Sequence, residues 1–247
     1  MRVTFLAAAL FLAGPLGAQT LAARIAASRA DRITFTFLGK EGVCGNGENF
    51  NLGGVRQSRG PGDWDCEEGP VRVTLQMNGR QVMRIRTTVG GVPPTGADDL
   101  GEVAPAEAAD WLLDLAERGE GRPSQEAVMP AAVARDVVVW PRLAAMAKRR
   151  SLREETRKQA IFWLGQQAAE VAVGPLEEVL RDDPEREMQQ MALFALTQQR
   201  SDRAIEILLR TARTHRDKEV RRTAFFWLGQ SEDPRGIRLF EEVLAGR

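Results

Sequence analysis

Apolar residues follow two different periods along this chain, and the change between them divides it. In the first part the period is two. ITFTFL sets Ile33, Phe35 and Phe37 against Thr34 and Thr36, the alternation of a half-buried strand. VRVTLQM repeats it with Val71, Val73, Leu75 and Met77, and Asn78-Gly79 follows, a dipeptide suited to the positive φ angles of a two-residue hairpin turn. RQVMRIRTTV returns with Met83, Ile85, Thr87 and Val89 on one face. These runs predict an antiparallel sheet of at least three strands within a β-module at 31–92. Between the first strand and the hairpin, 39–70 is rich in Gly, Asn and Asp. A loop of that length calls for an anchor.

VPPTGADDLG carries two prolines and several turn residues, so 93–104 reads as a linker. Beyond it the period is helical. PAEAADWLLDLAER places Ala108, Trp111, Leu112 and Leu115 on one stripe, with Pro105 suited to a first turn. Helical patterning continues through 105–247, so the fold class expected is α+β, mainly α.

Within the helical part a decapeptide is nearly duplicated: RKQAIFWLGQ at 157–166 and RRTAFFWLGQ at 221–230. A third copy lies midway. Ala160, Ala192 and Ala224 are spaced by 32 residues, as are Leu164, Leu196 and Leu228, and Gln166, Gln198 and Gln230. A second helix keeps the register through Val173, Ile205 and Ile237, then Leu176, Leu208 and Phe240. A fainter copy begins at Ala127, giving repeats near 127–159, 160–191, 192–223 and 224–247. A fixed period of this length marks stacked helical hairpins, none of which buries its apolar face alone.

EVRRTAFFWLGQ at 219–230, its cousin at 155–166 and DPRGIRLFEEVL at 233–244 resemble HEAT repeats, specifically the short bacterial kind similar to phycobilisome-lyase repeats. The resemblance covers about half the chain and implies a right-handed α-solenoid. It also implies a protein or peptide partner, since such repeats serve as scaffolds. An Arg often follows the Val in the family; Arg157 and Arg221 keep it and Gln189 departs. The lyase connection offers an enzymatic alternative, opposed by the absence of cysteine from the repeats.

At 100° per residue, Ala160 and Leu164 face the paired helix. Trp163 and Trp227 fall on the flank toward neighbouring repeats, as core. Phe162 points about 200° away from Ala160, with Lys158 one turn before and Gln166 one turn after. The same places read Gln190, Phe194, Gln198 and then Arg222, Phe226, Gln230. Two readings stand: a partner-binding strip of phenylalanines flanked by polar donors, or rings packed on adjacent helices with glutamines at helix ends.

Composition narrows the chemistry. With 34 basic and 34 acidic residues the formal charge is +0, which argues against a nucleic-acid backbone as main partner. The locally basic KRRSLREETRK is interrupted by Glu154 and Glu155 and reads as a charged turn. Arg2 followed by an apolar run at 3–13, a Gly14-Pro15 break and small residues to Ala18 reads as a secretory signal at 1–18. The run is too short to span a bilayer, so no membrane span is expected after cleavage. A periplasmic or secreted protein is expected, and there the two cysteines, Cys44 and Cys66, would close a disulfide.

No catalytic, cofactor or metal residues are assigned. The one histidine, His215 in THRDKE, has no neighbouring nucleophile. There is no HExxH, Walker loop or GxSxG. The Gly-x-Gly of GVCGNGENF lacks the following helix that a phosphate cradle requires and reads as tight turning. Asp63, Asp65, Glu67 and Glu68 lie around Cys66 without EF-hand spacing. The alternative to a scaffold is an enzyme or a small-ligand or calcium binder using that Gly/Asp-rich loop.

Overall fold

A computed structural model describes residues 19–52, 56–57, 66–118, 121–167, 169–199 and 201–245. The expected signal at 1–18, together with Asp63 and Asp65, lies outside them.

A short helix, α1 (Leu21–Ala27), precedes the sheet. Strands β1 (Arg32–Phe37), β5 (Val71–Asn78), β6 (Gln81–Val89) and β7 (Asp98–Glu102) form a four-stranded sheet in the order β6-β5-β1-β7. The alternating runs pair antiparallel, Phe35 opposite Val73 and Val73 opposite Thr87. The hairpin turn is Gly79-Arg80, one residue later than Asn78-Gly79, since Asn78 still pairs with Gln81. Gly79 takes the first central position with φ 58°, the demand of a II′ turn that glycine meets without strain.

Two expectations are corrected here. The linker at 93–104 contains β7, which runs parallel to β1 with Ile33 opposite Asp98. β1 is buried on both faces: Thr34 and Thr36 are buried along with Ile33, Phe35 and Phe37. Thr34 resolves its polarity by donating its hydroxyl to the Val73 carbonyl at 3.0 Å, as a buried hydroxyl must.

The loop after β1 folds into a second sheet, β2 (Val43–Gly45), β3 (Phe50–Leu52) and β4 (Arg56–Gln57). Cys44 on β2 is disulfide-bonded to Cys66, with Cα atoms 5.1 Å apart. The bridge ties the small sheet to the segment leading into β5, the anchor a loop of this length needs.

The helices follow as α2 (Pro105–Arg118), α3 (Gly121–Glu126), α4 (Val128–Ala132), α5 (Trp140–Lys148), α6 (Glu154–Gly165), α7 (Ala169–Asp182), α8 (Arg186–Thr197), α9 (Asp202–Thr214), α10 (Lys218–Gln230) and α11 (Pro234–Leu244). From α6 onward they make hairpins at 154–182, 186–214 and 218–244. The 32-residue step is as the period indicates, but each hairpin starts six residues earlier than the repeats counted from Ala160, Ala192 and Ala224. Periodicity sets the step and leaves the phase open. First helices α6, α8 and α10 stack as one layer, and α5, α7, α9 and α11 as the other. Ala160, Leu164, Ala192, Leu196, Ala224 and Leu228 are buried between the layers.

One buried polar knot joins two repeats. Arg157, 1% exposed, donates from Nε to the Ala147 carbonyl at 3.0 Å, from Nη1 to Glu185 at 3.2 Å and from Nη2 to buried Asp183. At the equivalent positions Gln189 donates to the Asp183 carbonyl at 2.8 Å and Arg221 to the His215 carbonyl at 2.6 Å. All three serve carbonyls near the end of the preceding helix, where four backbone acceptors lack intrahelical donors. The Arg singled out by the resemblance is thus structural here, and Gln189 substitutes because its shorter arm still reaches the Asp183 carbonyl.

The sheet is docked on the start of the helical array. Trp111 of α2 meets Phe35 edge-on at 6.0 Å. Lys40 N–H donates to the Val133 carbonyl at 2.8 Å, and Arg135 N–H to the Leu38 carbonyl at 3.0 Å. Glu126 of α3 accepts from the Ile85 N–H of edge strand β6 at 2.7 Å. Lys40 Nζ reaches Gln167 at 3.1 Å, and burial lowers its pKa below the usual lysine value.

Candidate functional site: an aromatic groove on the helical array

The outward surface of α6, α8 and α10 carries a groove of about 520 Å³. Its floor is aromatic because the 32-residue step sets one phenylalanine of each repeat beside the next. Phe162 and Phe194 stack at 6.0 Å with 12° between ring planes. Phe194 meets Trp227 at 5.1 Å, and Trp227 meets Phe226 edge-on at 4.9 Å. Offset and edge-on pairs of this kind contribute roughly 0.5–1.5 kcal/mol each beyond area burial. Phe162 and Phe194 are half-buried, whereas Phe226 remains 57% exposed. Packing and display therefore coexist: neighbouring rings contact one another along the row, and Phe226 at its end stays open to solvent.

Of the strip expected from the sequence, Lys158, Phe162, Gln190, Phe194 and Phe226 line this groove. Gln190 donates to Thr223 Oγ1 at 3.0 Å, bridging α8 and α10. Lys158 pairs with Glu154, with Glu187 at 3.2 Å and with Glu155 at 3.4 Å. The hydrogen bond to Glu154, before those to Glu187 and Glu155, holds its ammonium above the usual lysine pKa. The remaining members do not line the groove. Gln166 and Gln198 are the C-caps of α6 and α8, Gln230 ends α10, and the exposed Arg222 pairs with Glu219 at 3.8 Å. Helix ends attract such residues for their own backbone needs.

The groove also holds residues the strip omitted. Met191 lies one turn before Phe194 by the i−3 neighbour rule. Trp227, expected in the core, is only half-buried, while its counterpart Trp163 is 4% exposed. Among the described residues no further hairpin stacks beyond α10 and α11. A third stripe is acidic: Glu155, Glu187 and Glu219 recur at the 32-residue step in the first turns of α6, α8 and α10. Their side chains are 57%, 62% and 39% exposed. Glutamates there suit the positive end of the helix dipole; Glu187 lines the groove itself, and with Glu154, Glu185 and Glu219 it lines an adjoining acidic cleft. That period was the signal that would have found them.

Other candidates go elsewhere. His215 caps α9 and accepts the Asp217 N–H on Nδ1 at 3.2 Å. The cations of the basic stretch are taken up internally: Lys148 pairs with Glu178 at 2.7 Å, and Arg150 donates to the Asp182 carbonyl at 3.0 Å. Among the described residues no cluster of three or more His, Cys, Asp or Glu is placed to hold a metal, and no helix is long and apolar enough to cross a membrane.

Stacked helical hairpins with one side chain ladder presented per layer define a helical-repeat protein. Residues 140–224 and 173–246 match the family model for HEAT repeats, so this part of the chain is similar to a HEAT-repeat array. No curated protein matches the chain.

Proposed function

We propose that the protein is a non-catalytic, exported interaction module that binds a basic, apolar protein segment along the groove of Phe162, Phe194 and Phe226. HEAT repeats generally mediate protein–protein interaction. The observation that carries the reading is the exposed ring of Phe226 at the end of a continuous aromatic ladder. A large exposed aromatic in a concave, otherwise supported surface is the usual anchor of an interface. The acidic cleft that adjoins the groove at Glu187 supports a partner with lysine or arginine beside aromatic or aliphatic side chains, with the charges steering encounter. The leader-like start and the disulfide support export.

The test is selection of binders from a displayed peptide library, followed by affinity measurements on Phe226→Ser and Glu187→Lys variants. Enriched peptides should combine apolar and basic residues. Affinity should fall at least tenfold in each variant while helical circular dichroism stays unchanged. Peptides that bind both variants as tightly as the parent protein would place the interface elsewhere.

A further inference from the structure

The sheet has a second face that neither the groove nor the core uses. On β5 and β6 the core-facing residues Val71, Val73 and Leu75 alternate with Arg72 and Thr74, which stand opposite Thr88 and Arg86. These four polar side chains form a square on one face. They line a cavity of about 420 Å³ closed at its rim by the glycine turns at Gly47 and at Gly90-Gly91. A Cβ on Gly91 would sit 2.9 Å from the Gly47 Cα. Both positions also have positive φ, 73° and 90°, so the rim depends on residues without side chains.

Arg72 is the anomaly in this cavity. It is 8% exposed, yet its Nε and Nη1 have no hydrogen-bond acceptor. Nη2 reaches the Gly91 carbonyl only at 3.5 Å, and the nearest carboxylate, Asp99, stands 3.9 Å from Nη1. The contrast with Arg157 is internal to the molecule. That guanidinium is buried still more fully and has an acceptor on every nitrogen. Leaving a buried charged donor unserved is costly, and each such group in a folded protein calls for a partner that serves it.

We propose that this cavity is a binding site for a ligand carboxylate, anchored by Arg72 and completed by Arg86 and the hydroxyls of Thr74 and Thr88. A planar carboxylate matches the guanidinium's paired donors. The local charge decides against a phosphate dianion. Two arginines face two carboxylates, Glu48 on the rim and Asp99 beside Arg72, so the site is balanced before a ligand arrives, and a dianion would bring twice the uncompensated charge of a single carboxylate. The site is separate from the aromatic groove, and its failure would leave the groove reading untouched.

Amide chemical shifts of the full chain, followed by NMR during titration with acetate, propionate, inorganic phosphate and sodium chloride at matched ionic strength, test the proposal. Saturable shifts confined to Thr74, Thr88, Gly90 and Gly91 are expected with the carboxylates alone. Arg72→Met should abolish them while leaving the free protein at least as stable, because the substitution removes an unserved buried cation. Thr88→Val should weaken carboxylate binding severalfold with the fold intact, and this arm decides if Arg72→Met does not fold. Carboxylate shifts no larger than those with chloride, shifts that survive Arg72→Met, tighter binding of phosphate, or unchanged affinity in Thr88→Val would overturn it.

Discussion

The buried pair of Arg157 and Asp183 permits a quantitative test of how two repeats are joined. Asp183→Ala removes the carboxylate that faces Arg157 Nη2. The guanidinium then retains the Ala147 carbonyl and Glu185, whose side chain is 46% exposed. Breaking one side of a buried ion pair costs about 3–5 kcal/mol. The lost bond from the Glu185 N–H to Asp183 Oδ1, 3.0 Å in the parent, adds about 1 kcal/mol. Arg157→Met strands the carboxylate instead and should cost about as much as the first variant. In the double variant no buried charge is left unpaired, so its loss should not exceed that of either single variant. The coupling energy should then reach about 3 kcal/mol, at the upper end for contacting residues. Urea unfolding read by tryptophan fluorescence and by helical circular dichroism measures all four proteins. Trp163 lies in the same helix and is 4% exposed. Coincident transitions by the two probes are required, because repeat arrays do not always unfold as one unit. Additive single effects, or single effects below about 1 kcal/mol, would refute the pair's role as an inter-repeat lock.

The near-duplicate glycines should respond oppositely to alanine. At Gly165 a Cβ would meet Ala195 Cβ at 2.8 Å and its Cα at 2.9 Å, so Gly165→Ala should destabilise by about 1–3 kcal/mol. At Gly229 the nearest atom would be 3.4 Å away on the Phe240 ring, and Gly229→Ala should stabilise by up to about 1 kcal/mol through helix propensity. Thermal melts of the two variants check the pair. Replacing Cys44 and Cys66 with serine opens a loop spanning a separation of 22 residues and should cost about 3 kcal/mol in the chain-entropy account, measured by urea unfolding. Asp233 caps α11 by accepting the Arg235 N–H, and the Arg235 guanidinium, before that backbone bond, holds its carboxyl down to about 2. An unfolded aspartate titrates near about 3.9, so this stabilisation is complete above that value and is lost as pH falls toward about 2. The stability gap between the parent protein and Asp233→Asn should therefore close across that window.

Much of the fold was legible because burial repeats. The alternation through Phe35, Val73 and Ile85 and the 32-residue step through Ala160, Ala192 and Ala224 are direct consequences of which faces leave water. What escaped has no such pattern. DDLGE forms a largely exposed edge strand, held by pairing to β1 and not by apolar alternation, so a turn-rich linker was the natural reading. The groove was half legible. Its phenylalanines follow from helix geometry, but the glutamines at the helix ends share the same period for reasons of backbone satisfaction. Trp163 and Trp227 hold the same place in the repeat yet differ in burial, because neighbouring repeats and not the local sequence cover that flank. Arg72 looks like any outward residue of an alternating strand. Its burial comes from turns more than twenty residues before it and nearly as far after it, at Gly47 and Gly91, which no local pattern records.

The pairing of β7 with β1 bears on how the chain divides into folding units. A fragment ending at residue 92 carries every alternating strand, yet it leaves one edge of β1 open along Ile33 to Thr36. An apolar strand with a bare backbone edge recruits other copies. Extending the fragment through Arg135 restores β7, covers Phe35 with Trp111 and returns the main-chain bonds of Leu38 and Lys40. The two periods of the sequence thus mark a change in local geometry, while the smallest piece of the β-module that can stand alone in water reaches past the first helices. Synthesis imposes the same order: the edge of β1 stays bare until β7, ending at Glu102, has been made.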